Sequence, residues 1–167
     1  RLGTLFGFEN YNIIPDILCI AKGMGSGMPI GAFISSKKLM NLFTFNPPLG
    51  HITTFGGHPV NCAASLACIN HLLSTNIMTE INNKEKLFKK YLCHNKIKEI
   101  RGKGLMLSIE LNDETLAKKV VEESLSKGLI LFYFLFTKTA VRITPPLTIS
   151  EEEIILGCEI IKKILDK

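Results

Sequence analysis

Lys22 stands between an apolar run, Ile17-Leu18-Cys19-Ile20-Ala21, and a string of glycines that continues as Gly23-Met24-Gly25-Ser26-Gly27-Met28-Pro29. An amine held at the end of a buried strand gives up its proton more readily, because burial disfavours the ammonium form. A neutral amine can then condense with an aldehyde, and glycines leave room beside it. Lys22 is therefore a candidate covalent catalyst, set against the plainer use of a loop lysine as a solvated charge. Thr54 is the second candidate, in His51-Ile52-Thr53-Thr54-Phe55-Gly56-Gly57-His58-Pro59. A hydroxyl beside backbone N–H groups in a glycine-flanked turn can bind a phosphate. An extended segment leading into a helix is the competing reading of Thr53-Thr54-Phe55. Arg142 is the third, in Val141-Arg142-Ile143-Thr144-Pro145-Pro146-Leu147. Its planar guanidinium can pair with a carboxylate through two parallel hydrogen bonds, and the two prolines stiffen the segment behind it. A surface salt bridge is the alternative there.

These three residues need elements to hold them. Residues 1 to about 75 read as two strands, a loop and a helix. The second strand is Met28-Pro29-Ile30-Gly31-Ala32-Phe33-Ile34, and the helix starts near Pro59, a residue suited to a first helical turn. The glycines before that strand lack the GxGxxG spacing, and no helix follows them, so a dinucleotide loop is a poor reading. Small residues in Ala63-Ala64-Ser65-Leu66-Ala67 predict close packing against another element. From about 76 onward the pattern is a compact α+β unit. A helix over 77–93 leads through Ile97-Lys98-Glu99-Ile100-Arg101 to a strand over 105–111, and a helix over roughly 114–127 stops at Gly128. The run Leu129 to Phe136 is expected to be a buried strand, and Ala140 to Ile143 a further short one. Ser150 followed by Glu153 is a capping-box pattern before the last helix.

Composition bounds the function classes. The 167 residues are 46% hydrophobic and 21% charged, which fits a folded chain. The longest apolar run, Leu129 to Phe136, is far short of the roughly 20 residues that span a bilayer. Five cysteines in no CxxC spacing suggest neither a disulfide framework nor a zinc site, and a reducing cytoplasm is the simplest setting. Most of the net charge of +5 lies between Lys84 and Lys103, where leucines and isoleucines intervene as on a helix with a solvated basic face. Without aromatic-basic interleaving or a binding motif, nucleic acid is not an expected partner.

Four blocks in order carry a resemblance. The first runs from Pro15-Asp16-Ile17 through Ala21-Lys22-Gly23 to Gly27-Met28-Pro29-Ile30-Gly31-Ala32. The second is the His51–Pro59 block, the third Arg101-Gly102-Lys103-Gly104-Leu105-Met106, and the fourth Val141–Leu147. Together they resemble the class III aminotransferases, pyridoxal-phosphate (PLP) enzymes of fold type I. Similarity to the acetylornithine, ornithine and 4-aminobutyrate aminotransferases implies transfer of an amino group from an amino acid to a 2-oxo acid. It implies an α/β fold, with residues 1–75 as the C-terminal part of the PLP-binding large domain including the interdomain helix. Residues 76–167 would be the small C-terminal α+β domain.

The resemblance also assigns roles. Lys22 would be the PLP lysine, Thr54 would bind the phosphate of the cofactor in the other subunit of a homodimer, and Arg142 would bind a substrate carboxylate. His58 stands where the family commonly has asparagine, and no role is assigned to it. Arg1-Leu2-Gly3 resembles the middle of the family's Gly-Arg-x-Gly segment, so the chain reads as a C-terminal piece. The family's pyridinium-pairing aspartate, its stacking aromatic and its first phosphate loop would precede it. Isolated, such a piece is expected to be inactive. Two alternatives stay open: a non-catalytic remnant or dimerisation module of the same fold, and a PLP enzyme that decarboxylates or shifts an amino group within one molecule.

Overall fold

Alternating apolar and polar residues in Leu105-Met106-Leu107-Ser108-Ile109-Glu110 demand a strand with one buried face. The computed structural model, which describes residues 1–167, contains that strand as part of a four-stranded antiparallel sheet. Its strands are β3 (Glu99–Lys103), β4 (Met106–Glu110), β5 (Phe132–Tyr133) and β6 (Ala140–Ile143), in the order β3-β4-β6-β5. Leu107, Ile109, Val141 and Ile143 are all buried and line one face. Helices α3 (Ile77–Tyr91), α4 (Glu114–Ser126) and α5 (Glu151–Leu165) bring Ile81, Phe88, Val120, Ile154 and Ile161 into the same core. Both α3 and α4 pack on α5.

Local chemistry sets the helix ends. Ser150 accepts from the Glu153 N–H at 3.2 Å while the Glu153 carboxylate accepts from the Ser150 N–H at 2.9 Å, the reciprocal box expected of these residues. Asp113 caps α4 by accepting from the Leu116 N–H at 2.9 Å. Gly128, at φ +81°, ends that helix, with the Leu129 N–H reaching back to the Ser124 carbonyl at 2.9 Å. Cys158 lies fully buried on α5, and burial pushes its thiol up to about 12, so it packs as an apolar group.

Two expectations are corrected in this unit. Ile97–Arg101 is more than a lead-in, because Glu99–Lys103 pairs with β4 as a hairpin. The tight approach depends on Gly102, at φ +111°, where a side chain would collide with the Met106 carbonyl. The run Leu129 to Phe136 is not a buried strand. Only Phe132–Tyr133 pairs, and Leu135 and Phe136 are 90% and 96% exposed. An apolar run signals a need for cover, and neighbouring residues do not supply it here.

The chain forms two compact units, Gly7–Asn76 and Ile77–Lys167 together with Arg1–Phe6. The Arg1 carbonyl accepts from the Leu105 N–H at 2.8 Å, and its guanidinium donates to the Pro145 carbonyl at 2.7 Å. The other unit opens with a 3-10 turn over Gly7–Tyr11. Strands β1 (Ile17–Ala21) and β2 (Gly31–Ser35) then form an antiparallel ribbon in which Ile17 faces Ser35 and Ala21 faces Gly31. A one-turn helix α1 (Lys37–Met40), capped by Ser36, leads into a 3-10 turn over Asn41–Thr44. Helix α2 (Pro59–Ser74) has Pro59 in its first turn and packs its small-residue side, with Ser65 buried, against the turn that begins at Lys22. No helix is long and apolar enough to cross a membrane.

Candidate active site

Lys22 starts a 3-10 turn, Lys22–Gly25, directly after β1, with φ at +55°. A lysine in this left-handed region is uncommon and costs on the order of 1–2 kcal/mol, so its neighbours must hold it there. The Ser26 N–H donates to the Gly23 carbonyl at 3.1 Å and the Met28 N–H to the Gly25 carbonyl at 3.0 Å. The Cys68 thiol on α2 donates to the Gly23 carbonyl at 3.6 Å. Gly25 is buried, and a Cβ there would meet Ile30 Cγ2 at 2.8 Å, so the turn needs glycine for packing. The expected burial of the strand is not met. β1 alternates exposed and half-buried residues, Cys19 is exposed, and so is Lys22.

Thr54 lies about thirty residues further on, in a turn closed by hydrogen bonds from Gly56 N–H to Thr53 carbonyl (3.3 Å) and from His58 N–H to Phe55 carbonyl (3.2 Å). This turn and Pro29–Gly31 line one cleft of about 410 Å³. The fold thus joins the far end of the Lys22 segment to the Thr54 turn, and Asn61 locks them by donating to the Pro29 carbonyl at 2.6 Å. His58, the N-cap of α2, supplies no side-chain hydrogen bond, so the first N–H groups of a 16-residue helix are uncapped beside the turn. An exposed hydroxyl, turn amides and the positive end of a helix suit a phosphate. The His58 ring lies against Phe55, 6.5 Å between centroids, which is a packing role. The exposed Lys22 amine suits an aldehyde and the Thr54 turn suits a phosphate, the two groups that PLP presents.

Arg142 belongs to the other unit, on β6, and lies on the sheet face opposite the core. Its guanidinium stacks over the Phe132 ring, 4.8 Å from the centroid, and its Nε is buried with no hydrogen-bond partner. It borders a cleft of about 300 Å³ with Arg101, Ser108 and Thr144. Arg101 is committed, donating to the Glu110 carboxylate at 2.8 Å. Hydrogen bonds from the Thr139 hydroxyl and the Asn112 N–H, together with Arg101, hold the Glu110 carboxyl below its ordinary range, so that pair stays ionised near neutrality. Arg142 makes no such pair. Phe132, a candidate site residue by its contact with Arg142, is not singled out by the sequence. Only strand register, pairing Phe132 with Arg142, reveals it.

A family model described as aminotransferase class-III matches residues 1–165. The chain is 37% identical over 172 aligned residues to an acetylornithine aminotransferase of Caldanaerobacter subterraneus subsp. tengcongensis, a match covering 100% of this chain and 42% of that protein. Among solved structures, an aminotransferase of Bacillus anthracis superposes with a TM-score of 0.90 at 30% identity, over 99% of this chain and 42% of that one. The adenosylmethionine-8-amino-7-oxononanoate aminotransferase of Methanocaldococcus jannaschii superposes with a TM-score of 0.82 at 29% identity, over 99% and 42%. The chain spans about 42% of the length of these relatives.

Proposed function

Because the chain belongs to the class III aminotransferase family, whose members use PLP, we propose that it carries the amine, one phosphate contact and the carboxylate clamp of an aminotransferase. The reaction moves an amino group from a donor such as acetylornithine, ornithine or 4-aminobutyrate to a 2-oxo acid. The observation that carries this reading is the exposed Lys22, held at φ +55° by the glycine-rich turn it opens. When bound, PLP supplies an electron sink for the carbon that carries the amino group.

The residues of this chain do the rest. Lys22 Nζ would hold the cofactor and, once released, carry a proton to and from the substrate carbon. The Thr54 hydroxyl and the amides around it would hold a phosphate, that of the cofactor in the other subunit of a homodimer. Arg142 would orient the substrate by its carboxylate. Five free cysteines, four of them not fully buried, favour a reducing compartment such as the cytoplasm.

The test is to purify the full-length polypeptide, load it with PLP, and follow amino transfer from each of the three donors to 2-oxoglutarate and to pyruvate. Amino transfer from at least one donor is expected. A protein that binds PLP yet transfers from none, or releases carbon dioxide instead, overturns the reading. Thr54→Val should in addition weaken PLP retention about tenfold, the worth of one hydrogen bond to a charged group. Unchanged retention during dialysis would remove Thr54 from the phosphate site.

A further inference from the structure

Strand pairing places one residue from each strand of the sheet in a single transverse row, Arg101, Ser108, Arg142 and Phe132. The neighbours that alternate with them, among them Leu107, Ile109, Val141 and Ile143, are buried in the core, so the row lies on the opposite face. Its two ends are occupied. Arg101 is bound to Glu110 at 2.8 Å, and Phe132 lies beneath the Arg142 guanidinium. The middle is not occupied. Ser108 Oγ and Arg142 Nε are both buried, and neither has a hydrogen-bond partner.

A buried polar group left unsatisfied costs on the order of 1–3 kcal/mol, and such groups are few in native proteins. Here two of them face each other on paired strands and border the same cleft of about 300 Å³. Directly opposed residues have Cβ atoms about 4.5–5.5 Å apart, which suits two donors converging on one small ligand. Both groups can donate, one through O–H and one through N–H. Their complement is an acceptor with two adjacent oxygens, which is a carboxylate. Phe132 covers the face of the guanidinium, so a carboxylate that pairs with it must do so in the plane, at its edge.

We propose that Ser108 is a second donor to the carboxylate that Arg142 holds, and that this carboxylate meets Arg142 side-on through Nε. The inference rests on the carboxylate role of Arg142 and adds a specificity-determining residue to it. Ser108 takes one carboxylate oxygen and Arg142 the other. A ligand with a neutral amide in place of the carboxylate brings only one acceptor to two donors and gains little from either.

The test is calorimetric titration of the PLP-loaded full-length protein with valerate, and with valeramide as its uncharged counterpart. Ser108→Ala should weaken valerate binding about tenfold and leave valeramide unchanged, while Ser108→Thr, which keeps the hydroxyl, restores valerate. Arg142→Ala should weaken valerate further still. Valerate binding that is unchanged in Ser108→Ala but weakened in Arg142→Ala overturns the role of Ser108 and leaves that of Arg142 standing. Binding unchanged in both variants overturns the carboxylate reading as well. An equal loss for valerate and valeramide in Ser108→Ala marks a packing effect and also overturns the inference.

Discussion

Lys22→Ala should reduce amino transfer by about four orders of magnitude, the upper range for loss of a positioned acid–base group. Alanine can neither hold an aldehyde cofactor nor carry a proton. Lys22→Arg should be nearly as poor, since a guanidinium does not become neutral in a protein. The measurement is single-turnover transfer in the full-length protein loaded with PLP, and normal turnover in Lys22→Ala would remove the residue from the chemistry. Backbone strain supplies an independent check. At φ +55° any side chain is disfavoured, so Lys22→Gly should be about 1 kcal/mol more stable than Lys22→Ala. Both should be equally inactive. Thermal melts of the two variants read that difference, and equal melting of the two would remove the strain at this position.

Arg142→Lys should lower kcat/KM for carboxylate substrates by about 10- to 100-fold, the worth of one or two charge-assisted hydrogen bonds. A lysine keeps the positive charge but has no planar pair of donors, and its point charge does not stack flat on Phe132. Absorbance of the bound cofactor should be unchanged, and so should turnover of an amine that lacks a carboxylate. The readout is kcat/KM for 4-aminobutyrate against butylamine. Equal losses for the two would assign Arg142 to packing of the sheet, and no loss for either would remove it from the site.

Much of the architecture is legible because its causes are local. Pro59 at the start of α2, Gly128 after α4 and the Ser150–Glu153 box before α5 satisfy backbone groups within one turn of themselves. Alternation in β4 and β6 separates core from open face without reference to any neighbour. The exposed basic residues Lys86, Lys89 and Lys90 on α3 follow from the same kind of periodicity.

Burial is less legible. Ile17–Ala21 and Leu129 to Phe136 are as apolar as core strands, yet Ile17 is 57% exposed and Phe136 almost wholly so. Hydrophobicity states a demand for cover, and what covers a segment is settled by distant residues.

The site divides along the same line. As candidates, Lys22, Thr54 and Arg142 come from residue type and motif order, because an amine, a glycine-flanked hydroxyl and a guanidinium each carry their chemistry with them. Their surroundings are a matter of tertiary structure. The left-handed backbone at Lys22, the cleft shared by Pro29–Gly31 and Thr54, and the row from Arg101 to Phe132 arise from pairings across many residues. Alternation along a strand says which face a side chain takes, whereas register between strands decides which side chain it meets. Ser108 opposite Arg142 is therefore a product of the fold, while the need for a guanidinium to find an anion was written in the sequence alone.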